Sequence, residues 1–353
     1  MPIGTLIVSA FMLLLAQTAR AQETASSWIP LGPAPVDQAG TDGRGYVLPM
    51  ESSTVTADRA NVFSIHAVAA NYFYREQVTD FLVMQRYETH TIGLDYRRGF
   101  QLAGVPRFEI GGRLQFHQRD GGVLNGFIEG FENIWTSLTG SKSATNTLRT
   151  QEALRPPLGT FIERGGSRIY SDAGIGSGVG DVYVVAKMAL LDRDPSSTRP
   201  RVSARAGLNL AGSSRFSEGN FVGVGLSLDK KLLEWAAFHG DIRATRALDS
   251  MSAWNLPLKP WAYGFSAGSE LKLSTNSSFN LQIGGSSTPY APTGTAAFDR
   301  GYGDITFGVA HRFRAGSRFV TAHFYARENL NLPFRVRWNT DPDLSIGLKA
   351  TIQ

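Results

Sequence analysis

The stretch Arg107–Gln118 reads RFEIGGRLQFHQ, and its side chains alternate between apolar and polar. Phe108, Ile110, Leu114 and Phe116 fall on one face, and apart from two glycines the residues between them are charged or polar. Successive side chains of a β-strand point to opposite faces. The stretch therefore predicts a strand with one apolar face and one charged face.

The same alternation recurs from about residue 59 to the C-terminus and predicts about twelve strands. Each spans roughly 10 residues, the length that a tilted strand needs to cross a bilayer. The predicted fold is all-β, an antiparallel transmembrane β-barrel. The alternative is a secreted β-sandwich, but its strands would be shorter and its outer faces polar. The predicted strands begin near Asn61, Tyr87, Pro106, Gly180, Arg201, Asn220, Glu234, Pro260, Ser278, Gly303, Arg318 and Asp343.

The links between these strands alternate in length. Five links are short and the others are longer; the link over residues 118–179 is the longest. Short periplasmic turns, long extracellular loops and an even strand count are typical of outer-membrane barrels. The pattern predicts a location in the outer membrane of a Gram-negative bacterium. The short links lie near residues 98–105, 192–200, 229–233, 274–277 and 314–317.

The two ends of the chain carry targeting features. Residues 1–21 combine a short apolar run with ARA at 19–21 and predict a signal peptide for Sec export, although no Lys or Arg precedes the run. An N-terminal anchor is the alternative. Residues 22–58 are polar and rich in Gly and Pro, and predict a periplasmic extension before a barrel over 59–353. The C-terminal SIGLKATIQ resembles the signal for the barrel-assembly machinery, but ends in Gln353 instead of an aromatic residue.

One segment of the longest loop has helical periodicity. Within Gly121–Gly140, apolar residues such as Leu124, Phe127, Ile128 and Phe131 recur at helical spacing. The strand count makes this short helix extracellular. Two interpretations stay open: a lid over the barrel mouth, or an amphipathic helix lying on the rim or in the lipid head groups.

Charged residues fall on the polar faces of the predicted strands, which would line the barrel lumen. Both signs are present, so the lumen is either a hydrated, weakly selective pore or a closed set of ion pairs. The candidate lumen and rim residues are Glu109, Arg113, Asp181, Lys187, Arg205, Asp241, Arg243, Glu270, Lys272, Asp304 and Arg312.

Two of these acids are the last residues of a Gly-x-Gly-Asp motif that occurs twice, at residues 178–181 and 301–304. A phosphate-binding loop leads into a helix, whereas each of these motifs leads into a strand, which excludes a nucleotide site. Asp181 and Asp304 are predicted near the outer mouth. They either bind a cation and tune selectivity, or stabilise turns and pair with arginine.

The amino-acid composition argues against several kinds of site and partner. The chain has no cysteine, which excludes disulfides and thiolate sites, and its net charge of +5 is dispersed, which argues against nucleic acid as a partner. No catalytic, cofactor-binding or metal-binding residue is assigned. Ser64 and His66 have the spacing of a barrel lipase pair, but in reverse order and on the luminal face.

The motifs together resemble DUF3187, a proteobacterial family, and more loosely the transporter-like proteins of the MetA phenol-degradation pathway. The resemblance rests on GVGDVYVVAK at 178–187, GYGDITFGVAHRF at 301–313 and DGGVLNGFIEGFENIW at 120–135. The family pattern has an acid near Asn125 and a histidine near Glu132, so any role of those two positions does not carry over. The resemblance implies an outer-membrane barrel.

These observations predict a passive channel or transporter for small solutes. A lipid-modifying enzyme and a closed structural barrel are the alternatives. The expected partners are outer-membrane lipids, the barrel-assembly machinery at the C-terminal strand, and small solutes.

Overall fold

The computed structural model describes residues 28–35, 48, 50–122, 124, 157–172, 175–192, 194, 196–212, 216–217, 219–329 and 344–353. These residues form fourteen β-strands and one short helix. The elements are β1 Asn61–Val78, β2 Phe81–Phe100, β3 Phe108–Asp120, β4 Gly159–Arg164, β5 Ser167–Asp172, β6 Gly176–Leu191, β7 Arg201–Leu210, β8 Phe221–Leu233, β9 Ala236–Ala247, β10 Trp261–Ser274, β11 Ser277–Ser286, α1 Ala296–Asp299, β12 Tyr302–Ala315, β13 Arg318–Asn329 and β14 Leu344–Ile352.

Twelve of the strands close into an antiparallel β-barrel. Each barrel strand pairs with its sequence neighbours, β3 pairs with β6, and β14 returns to β1 with Ile65 opposite Ala350. The predicted all-β barrel is confirmed. Ten strands begin within two residues of their predicted starts, whereas β2 and β6 begin earlier, at Phe81 and Gly176.

β1 and β2 are longer than a membrane crossing requires, at 18 and 20 residues. They stay paired up to Val78 opposite Phe81, so a two-residue turn joins them. The longer link predicted here is wrong, because the strands continue pairing beyond the barrel. A hairpin of β4 and β5, absent from the predicted strands, pairs with the first half of β2.

The five links predicted to be short lie at one end of the barrel, together with the start of β1 and the end of β14. We call this the short-turn end, and the opposite end the long-loop end. The helix α1 lies in the loop between β11 and β12. Nearly all of the helix predicted over 121–140 lies outside the described residues.

The outer wall of the barrel is apolar. Alternate residues of β6, such as Val182, Val184 and Met188, are exposed, while Tyr183 and Lys187 between them are buried. Exposed tryptophans lie at both ends, with Trp235 in the turn before β9 and Trp261 at the start of β10. An apolar band bordered by aromatic residues is suited to lipid.

Among the described residues, no helix is long and apolar enough to cross a membrane.

Bulky inward side chains lie on glycines of neighbouring strands. Tyr325 of β13 is opposite Gly347 of β14, and a Cβ on Gly347 would approach the Tyr325 ring to 2.2 Å. Tyr183 of β6 lies diagonally over Gly207 of β7, which is opposite Val185, and a Cβ on Gly207 would clash with the Tyr183 side chain. The glycines leave the space that lets two large rings fold flat against the lumen wall.

Replacing Gly347 with Ala is expected to destabilise the barrel by about 1–3 kcal/mol, because the added methyl displaces the Tyr325 ring. The midpoint of urea unfolding, followed by heat-modifiable gel mobility, measures the effect. Gly121→Ala is the matched control, because nothing lies within 4 Å of the Cβ that it adds. Equal midpoints for the two variants would contradict this packing account.

Candidate functional site: the occupied lumen

The lumen contains a segment of the chain that precedes β1. We call residues 28–57 the N-terminal segment; its described parts are 28–35, 48 and 50–57. Trp28, Ala34, Leu48 and Val55 are all buried. The sequence analysis placed residues 22–58 in the periplasm without a core. The described residues instead lie against inward-facing side chains of the barrel, because the lumen supplies the partners that this irregular segment lacks.

The first part of the N-terminal segment is held by Glu270 of β10. The backbone amides of Leu31 and Gly32 donate to the two carboxylate oxygens of Glu270 at 2.7 and 3.0 Å. Gln282 of β11 donates its side-chain amide to the Ala34 carbonyl at 3.2 Å. These bonds satisfy backbone groups that a non-strand segment would otherwise bury without partners.

The second part is held by two further acids. Asp229 of β8 accepts hydrogen bonds from the Ser53 amide and hydroxyl, both at 2.7 Å, and from the Ser52 hydroxyl at 2.6 Å. Glu109 of β3 accepts from the amide and hydroxyl of Thr56 at 2.6 and 2.7 Å. Each carboxylate therefore binds the segment through at least two donors.

His239 of β9 connects two of these acids. Its Nδ1 lies 2.6 Å from Asp229 and its Nε2 lies 2.9 Å from Glu270. An imidazolium donates from both ring nitrogens, so this geometry suits a charged histidine between two carboxylates. His239 thereby fixes the acids that hold the two parts of the N-terminal segment.

Glu51 of the segment inserts its own charge into the lumen. Its carboxylate lies 2.6 Å from Arg97 and 3.3 Å from Lys187, and both cations also contact Glu109, at 3.1 and 3.0 Å. Burial alone would raise the pKa of the Glu51 carboxyl, but the positive charges of Arg97 and Lys187 outweigh it. They hold this pKa well below its usual range.

Other predicted lumen residues form buried ion pairs. Arg205 lies 2.7 Å from Asp241, and Arg243 lies 2.9 Å from the same carboxylate. Arg113 lies 2.5 Å from Asp95. The structure thus brings the predicted lumen charges together as pairs within the wall.

The two Gly-x-Gly-Asp acids face the lumen in different surroundings. Asp304 forms an ion pair with Arg327 at 3.0 Å. Asp181 accepts hydrogen bonds from the Asn209 side chain at 2.6 Å and from the Gly212 amide at 2.8 Å. These are the contacts expected if the two acids stabilise turns and pair with arginine, which was the alternative to a cation site.

Several lumen residues were missed by the sequence analysis. Asp95 and Arg97 lie two apart on β2 and share its inward face, so the alternation could have identified them. Glu51 lies in a segment without periodicity, and no local pattern marks it. The lumen residues that went unassigned are Glu51, Asp95, Arg97, Asp229, Arg327 and Lys349.

An apolar cluster lies at the long-loop end. It joins side chains of β2 and β4, of the loop before β10, of the loop after β11, and of α1. The rings of Trp254 and Tyr290 lie 5.9 and 5.1 Å from the Phe298 ring. The buried members are Phe81, Val83, Ile162, Trp254, Leu256, Tyr290 and Phe298.

A cavity of about 580 Å³ remains at the short-turn end. Residues 29–35, 50–52 and 54–57 of the N-terminal segment line it, together with inward-facing residues of the barrel that include Lys187 and Arg312. Lys272, the remaining predicted lumen residue, does not line this cavity.

Within the described residues, no group of three or more His, Asp or Glu side chains could hold a metal ion. Ser64 bonds to Thr351 at 2.9 Å, and His66 lies 3.5 Å from Asp95. The hydroxyl of Ser277 lies 2.8 Å from Nδ1 of His311 on the outward face of β11 and β12.

The chain resembles known barrels in structure more than in sequence. No family model matches the chain, and no curated protein matches it; membership of DUF3187 therefore stays a prediction. The COG4313 outer membrane channel from Pseudomonas putida F1 aligns with a TM-score of 0.55 at 12% identity, over 87% of this chain and 100% of that chain. The NanC porin aligns at 0.41 and 8%, over 82% and 98%. The first alignment shows that the fold is that of an outer-membrane β-barrel protein.

Replacing Glu51 with Gln is expected to loosen the N-terminal segment, because Arg97 and Lys187 lose a buried counter-charge. The chain has no cysteine, so Val55→Cys, at a side chain only 3% exposed, can report on opening. Adding Glu51→Gln to Val55→Cys should raise the rate of maleimide labelling at pH 7 by about tenfold or more.

Glu234→Gln is the control, because the Glu234 side chain is 76% exposed and pairs with Lys231 at a turn. If Glu51→Gln and Glu234→Gln label at the same rate, the charge of Glu51 does not hold the segment.

Proposed function

We propose that this protein is an outer-membrane channel for small solutes whose lumen is closed by its N-terminal segment. The proposal rests on one observation: the lumen contains an irregular segment of the same chain, not a further strand or helix of the barrel. An irregular segment joined to the barrel at one end lies in the short-turn half of the lumen, beside the remaining cavity. Hydrogen bonds to Glu270, Asp229 and Glu109 hold it there. A segment held in this way can leave without breaking any strand pairing.

A vacated lumen would be polar. The groups that bind the segment are carboxylates and their basic partners. Water can hydrate such charged groups when the segment leaves. The apolar outer band supports a location in the outer membrane. Export through the Sec pathway and recognition of the C-terminal strand by the barrel-assembly machinery belong to the same proposal.

Deleting residues 28–56 is expected to produce discrete conductance steps in a planar bilayer, several times larger or more frequent than those of the full chain. Gel mobility before and after heating shows that the deleted form is folded. A folded variant that conducts nothing, beside a full chain that conducts nothing, overturns the channel.

The Glu51 pKa predicts the pH dependence of this closure. Because the pKa of Glu51 is held below its usual value of 4.5, the carboxylate stabilises the closed state fully above that pH. The stabilisation is lost as the pH falls through the lowered pKa. We expect conductance of the full chain to rise only at a pH well below 4.5, and Glu51→Gln to conduct at pH 7 with a smaller acid-induced rise. A Glu51→Gln variant with the full chain's pH response would contradict this.

A closed structural barrel is the second candidate, and the apolar cluster at the long-loop end favours it. Tyr290 and Trp254 pack around Phe298 with 0–1% of their side chains exposed. This closure has no charge to titrate. Absence of conductance after deletion of residues 28–56 would support this candidate.

A lipid-modifying enzyme has one supporting contact, the bond between Ser277 and His311. A general base is usually oriented by a third polar group, and within the described residues His311 forms no ion pair with a carboxylate. Phospholipid hydrolysis by the purified protein that disappears in Ser277→Ala would establish the activity.

A further inference from the structure

The cavity at the short-turn end carries basic side chains that the N-terminal segment does not use. Arg312 lies on β12, His323 on β13 and Lys349 on β14, and all three line the cavity. The strand register places His323 directly opposite Lys349 and Arg312 opposite Thr321. Three basic side chains from three adjacent strands therefore share one inward-facing patch.

The neighbouring acids are already engaged. Asp95 lies 2.5 Å from Arg113 and only 3.7 Å from Lys349. Both oxygens of Glu270 accept hydrogen bonds from the N-terminal segment.

Arg312 is the first of the basic side chains of the patch. Within the part of the chain that the structure describes, its guanidinium forms no ion pair with a carboxylate, and it lies over the Phe319 ring, 5.8 Å from the ring centroid. The patch thus carries more positive charge than its protein surroundings neutralise.

A ring nitrogen of His323 is a second, independent observation that favours a ligand in this cavity. Its side chain lines the cavity but only 7% of the residue is exposed. Among the described residues, its buried Nδ1 has no hydrogen-bond partner. A buried polar atom without a partner is destabilising. Rotation of the His323 ring toward the cavity would let Nδ1 gain a hydrogen bond to a ligand oxygen.

Part of the cavity lining is apolar. Ile29, Pro30 and Pro33 of the N-terminal segment line it. Pockets that combine an apolar wall with a few converging polar groups are typical of small-molecule sites.

We propose that this cavity binds a small organic acid. Its carboxylate would lie between Arg312, His323 and Lys349, and its apolar body against Ile29, Pro30 and Pro33. The inference rests on the proposed channel function in one respect, since it names the class of solute that would occupy the entrance. Binding itself does not require that the barrel conducts.

Isothermal titration of the folded, full-length protein in detergent at pH 7 tests the site. Benzoate is the probe, benzyl alcohol has a similar body without the charge, and inorganic phosphate has the charge without the body. We expect benzoate to bind at least about tenfold more tightly than either of the other two.

The variants locate the site. Arg312→Gln and Lys349→Gln should each weaken benzoate binding by about tenfold. Arg314→Gln is the matched control for the first, because Arg314 is exposed in the same strand and bonds to the Gly316 carbonyl. Lys230→Gln, at an exposed position of β8, is the control for the second. Heat-modifiable mobility shows that each variant is folded.

Three results overturn the proposal: no binding of benzoate, equal binding of benzoate and benzyl alcohol or phosphate, or unchanged affinity in Arg312→Gln and Lys349→Gln. Conductance is measured separately, on the form that lacks residues 28–56. Benzoate binding by the full chain, with no conductance from that form, overturns the channel and keeps the site; conductance from that form without benzoate binding by the full chain does the reverse.

Discussion

The pairing of β14 with β1 is the constraint on which the rest of the structure depends. A sheet of this length with open edges would leave backbone amides and carbonyls unsatisfied in hydrocarbon, so a membrane-spanning sheet must close on itself. Here closure runs from Phe63 opposite Ile352 to Asn71 opposite Leu344. Once the ring is closed, alternate side chains must point either to the apolar outside or into a confined lumen.

Confinement decides what the inward charges do. A charge taken out of water needs a partner, and removing one partner of a buried pair is strongly destabilising. The barrel satisfies some charges within its wall, as between Arg205 and Asp241. Others are satisfied by the N-terminal segment, which supplies backbone amides, hydroxyls and the carboxylate of Glu51. The segment and the lumen therefore complete each other's hydrogen bonds.

The side chains at the two ends of the lumen pack through different chemistry. The long-loop end packs aromatic and aliphatic side chains around Phe298, and the short-turn end uses ionised groups around Glu51 and His239. Apolar packing is insensitive to pH, whereas the carboxylates are not. The packing at the two ends can thus respond to different conditions, and the basic patch at Arg312 lies at the end whose packing depends on charge.

The sequence by itself determined the strands and the direction of their side chains, because a period of two is a local property that the sheet preserves. The alternation in Arg107–Gln118 correctly predicted that Glu109 and Arg113 face inward. Only the tertiary structure decided what meets those side chains. Glu51 and Lys187 are 136 residues apart, and the segment that holds Glu51 has no periodicity to read. Its location follows from the partners that a closed barrel leaves inside, and those exist only after the first and last strands have paired.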